Sequence, residues 1–292
     1  MPTAWTETTV TVARTHAEAV ASFLLDLGSP GLVTDDGDPT VSLTGYLALD
    51  ATTELAALRR LCDELGGATP ELPPAHIETR VIEQEDWAHT WMDHFPPLAV
   101  GERLYITPPW VSAVPAGRVA VVIDPGLAFG TGHHATTQGC LTLLEHHVRS
   151  HAVRRALDLG TGSGILAIAM VKLGVDEVWA VDTDPEARRA ARSNSERNGV
   201  AVRIRVADTL ADAAGVFDLV TANLLGSLLI DMAAALAAVL ARRGHLITSG
   251  ILLAEAPDVL AAFGKHGLAE RRRIVGSGAG EWVTFDLARR SS

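Results

Sequence analysis

The stretch Leu157-Asp158-Leu159-Gly160-Thr161-Gly162-Ser163-Gly164-Ile165-Leu166-Ala167 constrains this chain more than any other. It reads as a short apolar strand, a turn with glycine at every second position, and an apolar helix. Without Cβ atoms, the glycines let the strand-to-helix turn tighten and let a ligand lie against bare backbone. A phosphate-binding P-loop would need Gly-Lys-Ser/Thr, and no lysine follows here. A dinucleotide turn needs G-x-G-x-x-G, but Gly164 comes one residue early and Ile165 takes the expected place. The charge of Asp158 would also repel a pyrophosphate.

From Asp124 onward, apolar strands and helices alternate regularly. Strands are predicted near Ala156–Leu159, Val178–Val181, Val202–Val206, Leu219–Ala222, His245–Thr248, Leu268–Ile274 and Trp282–Leu287. Asp184 suits a helix N-cap with Pro185 first in the helix, and Gly199 sits where a left-handed C-cap is needed. Seven strands with intervening helices predict an α/β sheet covered on both faces. Ligands on such sheets sit beyond the carboxyl ends of the strands. Asp182 follows the second strand, where a carboxylate can accept both hydroxyls of a ribose. Asp208 follows the third and reads either as an acceptor for an adenine amine or as a simple turn residue. Asn223 follows the fourth. This order predicts S-adenosylmethionine-dependent methyl transfer, since a sulfonium cofactor with a free amino group and no phosphate suits Asp158.

The second signal is Asp124-Pro125-Gly126-Leu127-Ala128-Phe129-Gly130-Thr131-Gly132-His133-His134-Ala135-Thr136-Thr137. Three glycines around Phe129 describe a loop able to fold over a ligand and exclude water. Thr136 and Thr137 offer hydroxyls and backbone N–H groups at the start of an apolar helix. His133 and His134 invite a metal reading, but adjacent histidines without a third and fourth ligand are poor support, and no metal is expected.

The first eighty residues follow a strand-helix-strand-strand-helix-strand pattern. Val10 and Val12 alternate with polar neighbours, while Val20, Phe23, Leu24 and Leu27 share a helical face. Val41, Leu43, Leu47 and Leu49 keep a period of two. Thr52 or Thr53 is expected to cap a helix carrying Leu55, Leu58, Cys62 and Leu65, and Ile77, Thr79 and Val81 give a fourth strand. The pattern is ferredoxin-like and carries no catalytic constellation. Gln84–Phe95 is predicted as a bridging helix whose Trp87, Trp91 and Phe95 serve packing or a domain staple before ligand contact. The expected organisation is a ferredoxin-like domain over 1–83, a linker helix and connection over 84–112, and a Rossmann-like catalytic domain over 113–292.

A net charge of −11 argues against a nucleic-acid backbone partner, which requires a positive footprint. The charge is uneven: Met1–Arg80 holds 12 acidic and 4 basic residues, a balance of −8. That surplus serves solubility or meets a basic macromolecule. The two cysteines, Cys62 and Cys140, lie far apart and read as small core residues of a reduced, cytoplasmic protein. The first ten residues lack the basic start and apolar core of a secretory signal, and no apolar run reaches about eighteen residues, so no membrane span is expected.

The chain resembles the PrmA-type methyltransferases that modify large-subunit ribosomal protein L-eleven. The resemblance rests on DPGLAFGTGHHATT (Asp124–Thr137), LDLGTGSGILAIA (Leu157–Ala169), VDTDP (Val181–Pro185), NLL (Asn223–Leu225), SGIL (Ser249–Leu252) and GEWV (Gly280–Val283). It implies a seven-stranded class I methyltransferase sheet and an N-terminal domain that holds a basic ribosomal protein. It also implies methylation of lysine side-chain amines and an N-terminal α-amine, with Thr137, Gly160, Asp182 and Asn223 contacting the cofactor. The residue reading adds Gly162, Asp208 and Phe129 to the cofactor set and gives Asn223 the catalytic role. A monomer is expected. Asn223-Leu224-Leu225-Gly226 lacks the prolines and aromatic ring of the Asn-Pro-Pro-Tyr motif that would stack a planar amide or adenine. An aliphatic amine needs only acceptors that orient its lone pair. Two alternatives remain at this stage: methylation of another protein's lysines or a small amine, and cofactor binding without turnover.

Overall fold

The computed structural model describes residues 4–29, 31–37, 39–69, 72–83, 95–124, 132–276 and 282–290. The bridging helix expected over Gln84–Phe95, with Trp87 and Trp91, lies outside the described residues apart from Phe95, as do Phe129 and the first two residues of the Gly280–Val283 motif. Contacts divide the chain into two compact units, Met1–His94 and Phe95–Ser292.

The first unit runs β1 (Ala4–Ala13), α1 (Ala17–Asp26), β2 (Leu32–Asp36), β3 (Thr40–Ala48), α2 (Thr52–Ala68) and β4 (His76–Glu83). Its antiparallel sheet has the order β2-β3-β1-β4, the ferredoxin-like arrangement. The period of two explains which face is buried. Val10 pairs with Leu43 and Val12 with Val41, and this apolar face is covered by Val20 and Leu24 of α1 and Leu58 and Cys62 of α2. On the other face, Thr9 bonds Thr44 and Thr11 bonds Ser42, each at 2.9 Å. Helix α2 begins after Ala51 with no side-chain cap, so Thr52 is its first residue rather than its cap. Cys62 and Cys140 are both free and buried.

The second unit opens with a small sheet of β5 (Leu98–Val100), β6 (Leu104–Thr107) and β7 (Val119–Val122). There follow α3 (Ala135–Ser150), β8 (Arg155–Leu159), α4 (Ile165–Leu173), β9 (Glu177–Val181), α5 (Pro185–Arg197), β10 (Ile204–Ala207), β11 (Phe217–Asn223), α6 (Gly226–Val239), β12 (Leu240–Leu252), α7 (Ala256–Gly264), β13 (Leu268–Gly276) and β14 (Trp282–Arg289). The seven-stranded sheet has the order β10-β9-β8-β11-β12-β14-β13, with β14 antiparallel to both of its neighbours. Strand order reverses between β8 and β11, the topological switch point where ligands of such sheets bind.

Alternation within each strand feeds two cores. Ala156, Val178 and Leu219 pack with Leu144 of α3, Ile168 of α4 and Leu104 and Val121 of the small sheet. Leu157, Val181 and Val220 pack on the other side with Leu229 and Leu236 of α6 and Phe263 of α7. Helix α4 is buried at every residue except Lys172, which accounts for its almost wholly apolar sequence. The third predicted strand begins later than expected. Ala201–Arg203 forms a single 3-10 turn, Val202 is 96% exposed, and pairing with β9 starts only at Ile204. Among the described residues, no helix is long and apolar enough to cross a membrane.

Candidate cofactor site

The glycine turn between β8 and α4 is built as its spacing requires. Gly160, Gly162 and Gly164 all adopt positive φ, at 71°, 53° and 84°. At Gly164 a second constraint applies, because a Cβ there would lie 3.1 Å from the Ala191 Cα of α5. Only glycine meets both the left-handed backbone and that close helix approach. The Gly160 and Thr161 N–H groups donate to the Val181 carbonyl at 2.8 and 3.0 Å, which pins the turn to the end of β9.

Asp158 departs from the role its charge suggested. It is fully buried, and its two oxygens accept from the Thr161 hydroxyl at 2.7 Å and the Thr221 hydroxyl at 2.6 Å. It therefore braces the turn from below rather than facing a ligand's amino group. Burial pushes its pKa up to about 6, against the lowering effect of those hydroxyls.

Asp182 is half-buried just beyond β9, between the turn and the next helix. Gly162 N–H donates to one oxygen at 2.9 Å and Asp184 N–H to the other at 3.0 Å. A carboxylate offers about four lone-pair directions, so each oxygen keeps acceptor capacity for a hydroxyl. The cap role belongs to Asp184, which accepts from Glu186 N–H at 2.9 Å with Pro185 first in α5. Arg188 donates to the Asp182 and Thr183 carbonyls at 2.9 and 2.8 Å. It also pairs with the exposed Asp208 at 3.0 Å, so Asp208 stands at the rim held by a cation.

Asn223 ends β11, and its Nδ2 lies 3.3 Å from the Thr136 hydroxyl and 3.5 Å from that of Thr137. Among the described residues its Oδ1 takes no hydrogen bond. Thr136 and Thr137 are buried in the first turn of α3. The cap of that helix is His134, whose Nδ1 lies 2.7 Å from the Thr136 hydroxyl and accepts from the Thr136 N–H at 3.4 Å. Burial lowers the pKa of His134, which suits an acceptor ring. His133 faces another way, 3.0 Å from the Pro96 carbonyl, so the adjacent histidines do not act together. Gly250, in the SGIL stretch, has φ 83°, and a Cβ there would collide with the Leu224 carbonyl. That approach presses Leu224, the residue after Asn223, onto β12, where its N–H bonds the Ser249 carbonyl at 3.1 Å.

Sequence reasoning missed two supports. Asn194 of α5 is buried, donating to the Ser163 carbonyl at 2.9 Å and accepting from Asp124 N–H at 3.1 Å. Asn198 takes both main-chain groups of Val122, at 2.9 and 2.6 Å, as a neighbouring strand would. Together they tie the glycine turn to the residue at which the Asp124–Thr137 motif begins. Their spacing of four on a strongly polar helix was the one available sign, and it did not set them apart from surface residues.

Thus Thr136, Thr137 and Asn223 form one cluster, and Gly160, Gly162, Asp182 and Asp208 line the adjoining carboxyl edge. The strand order, the glycine turn without a P-loop lysine and the carboxylate after the second strand define a class I, S-adenosylmethionine-dependent methyltransferase. Within that class, the chain matches the ribosomal protein L11 methyltransferase (PrmA) family over residues 4–290 and belongs to it. It is 38% identical over 299 residues to the ribosomal protein L11 methyltransferase of Geobacter metallireducens, with 97% of each chain covered. It is 39% identical over 293 residues to that of Geobacter sulfurreducens, covering 95% of this chain and 96% of the relative. Among solved structures, the ribosomal protein L11 methylase of Lactobacillus delbrueckii subsp. bulgaricus superposes with a TM-score of 0.61 at 34% identity. That match covers 67% of this chain and 99% of the other.

Proposed function

We propose that this chain transfers methyl groups from S-adenosylmethionine to lysine side-chain amines, the N-terminal α-amine, or both, of ribosomal protein L11. The observation that carries the reading is Asn223 bonded to the α3 start and followed by two leucines instead of a stacking platform. Bound S-adenosylmethionine supplies an electrophilic methyl group on a sulfonium. Asp182 would accept the ribose hydroxyls, Gly160 and Gly162 would leave backbone open to the cofactor, and Asp208 would stand at the adenine end. Phe129, which lies outside the described residues, would contact the cofactor if its glycine-rich stretch folds over the ligand, as the residue pattern suggests. The Asn223 Oδ1 orients the attacking amine, and positioning supplies most of the acceleration. The amine must reach the site neutral, which is easier for an α-amine near 7.7–8.0 than for a lysine near 10.4, roughly as model peptides titrate. No metal takes part in the chemistry.

The N-terminal domain over 1–83 selects the substrate, the stretch 84–112 connects it, and residues 113–292 carry the chemistry. The enzyme works as a cytoplasmic monomer without direct nucleic-acid binding. The surplus of acidic residues before Arg80 supports capture of a basic protein. Incubation of the full chain with labelled S-adenosylmethionine and purified ribosomal proteins tests the reading. The label is expected on L11 as methylated lysine or a methylated N-terminus. Raising salt should raise KM for L11 more than it lowers kcat, because exposed charges are screened beyond about 8 Å at physiological ionic strength. Label on another acceptor, or none on L11, overturns the substrate assignment.

A further inference from the structure

Far from the cofactor residues, His147 in the last turn of α3 and His151, the residue just past that helix, stack with ring centroids 4.3 Å apart. His245 of β12 meets them, with its ring centroid 4.4 Å from that of His147 and 5.3 Å from that of His151. Each of the three offers a ring nitrogen, and these nitrogens all lie within 4.8 Å of one another. We propose that His147, His151 and His245 form a three-histidine site for Zn2+.

Three features carry this assignment. Two histidines close in sequence at a helix end plus a third from a neighbouring element make an all-imidazole set of the kind zinc sites use. Zinc–nitrogen bonds of about 2.0–2.1 Å place tetrahedral ligand nitrogens about 3.4 Å apart, so nitrogens within 4.8 Å need close by at most about 1.4 Å. His245 Nδ1 lies 2.7 Å from an Asp286 carboxylate oxygen of the adjacent β14, which leaves Nε2 as its ligand atom. Carboxylates on the far nitrogen of metal-bound histidines fix ring orientation and raise ligand basicity.

The all-imidazole set favours a borderline metal over Mg2+ or Ca2+, which take oxygen ligands. The fourth position opens on a cleft of about 470 Å³ that His151 and His245 line together with Arg242, Arg243, Arg271 and Arg289. Those guanidinium groups oppose a bare dication and favour hydroxide or another anion as the fourth ligand. Zinc there clamps the end of α3 to β12, at the edge of the sheet away from Asn223.

The test uses the untagged full chain, stripped with a chelator. Zn2+ alone, titrated by calorimetry, should bind at one equivalent per chain, and Mg2+ alone should not. Co2+ alone should give the visible d–d absorption of a four-coordinate site. Zn2+ should raise the melting temperature of the parent but not of His151→Ala. His151 is exposed, so its removal leaves the core intact. His151→Ala and His245→Ala should each weaken Zn2+ binding at least tenfold, and Asp286→Asn by about 10–100-fold, the usual cost of losing an outer partner. Absence of stoichiometric Zn2+ binding, or binding unchanged in folded His151→Ala, overturns the site.

Discussion

The two ends of helix α3 use polar side chains in opposite ways. At its start, Thr136 and Thr137 bond the Asn223 side chain, and nearby Asp182 is held by main-chain N–H groups. Backbone supplies most of the scaffolding there, and the side chains keep acceptors in reserve. At its end, His147, His151 and His245 stand against one another, with Asp286 behind. The first arrangement suits a ligand that is recognised and released. The second suits an ion held by side chains alone.

The contrast can be broken most sharply at Asp158, the one carboxylate of the cofactor edge that faces inward. Its pKa is raised from 3.8 to about 6, so the folded protein binds more protons than the unfolded chain between those values. Stability from this group is therefore full below about pH 3.8 and is lost as pH rises through about 6. A 2.2-unit shift corresponds to about 3 kcal/mol. Asp158→Asn removes the titration, so denaturant melts should show the variant gaining about 3 kcal/mol on the parent from pH 3.8 to 6, then a constant gap. A gap independent of pH across that window would show that Asp158 is not the buried carboxylate described.

Asn223→Ala removes the proposed amine acceptor and should slow single-turnover methyl transfer by about 100-fold, the scale of a small misplacement of reacting groups. Cofactor affinity should change less. Transfer at the parent rate would remove Asn223 from the chemistry. Asp182→Ala comes next, weakening S-adenosylmethionine binding by about 1.5–3 kcal/mol, the range for hydrogen bonds to a charged group. Calorimetry on the folded variant checks this value, and unchanged affinity would move the ribose to another acceptor. His151→Ala is the control at the other end of α3, with cofactor affinity equal to the parent's.

Much of the candidate cofactor edge was legible as local structure because its motifs are local. The 157–167 turn, Asp182 after β9 and Asn223 after β11 each sit where a strand ends, and strand ends follow from apolar runs. Asp158 was placed on the right turn but given the wrong orientation. Its position in the last pair of β8 residues put it inside, and nothing in the order of residues shows that Thr161 and Thr221 would take both oxygens. Nor did the order of residues show that His134 caps α3, where its ring packs edge-on against Trp282 at 5.2 Å, from a strand far along the chain.

The sequence by itself determined the two fold patterns and the residues at the strand ends, because periodicity and turn chemistry act over a few residues. Tertiary structure alone decided what lies behind them. Asn194 and Asn198 bridge to residues 31 to 76 positions away, and His147 meets His245 only because α3 packs against β12. Such contacts are set by how packed layers superpose, and an isolated histidine or asparagine carries no mark of which distant partner packing will bring to it.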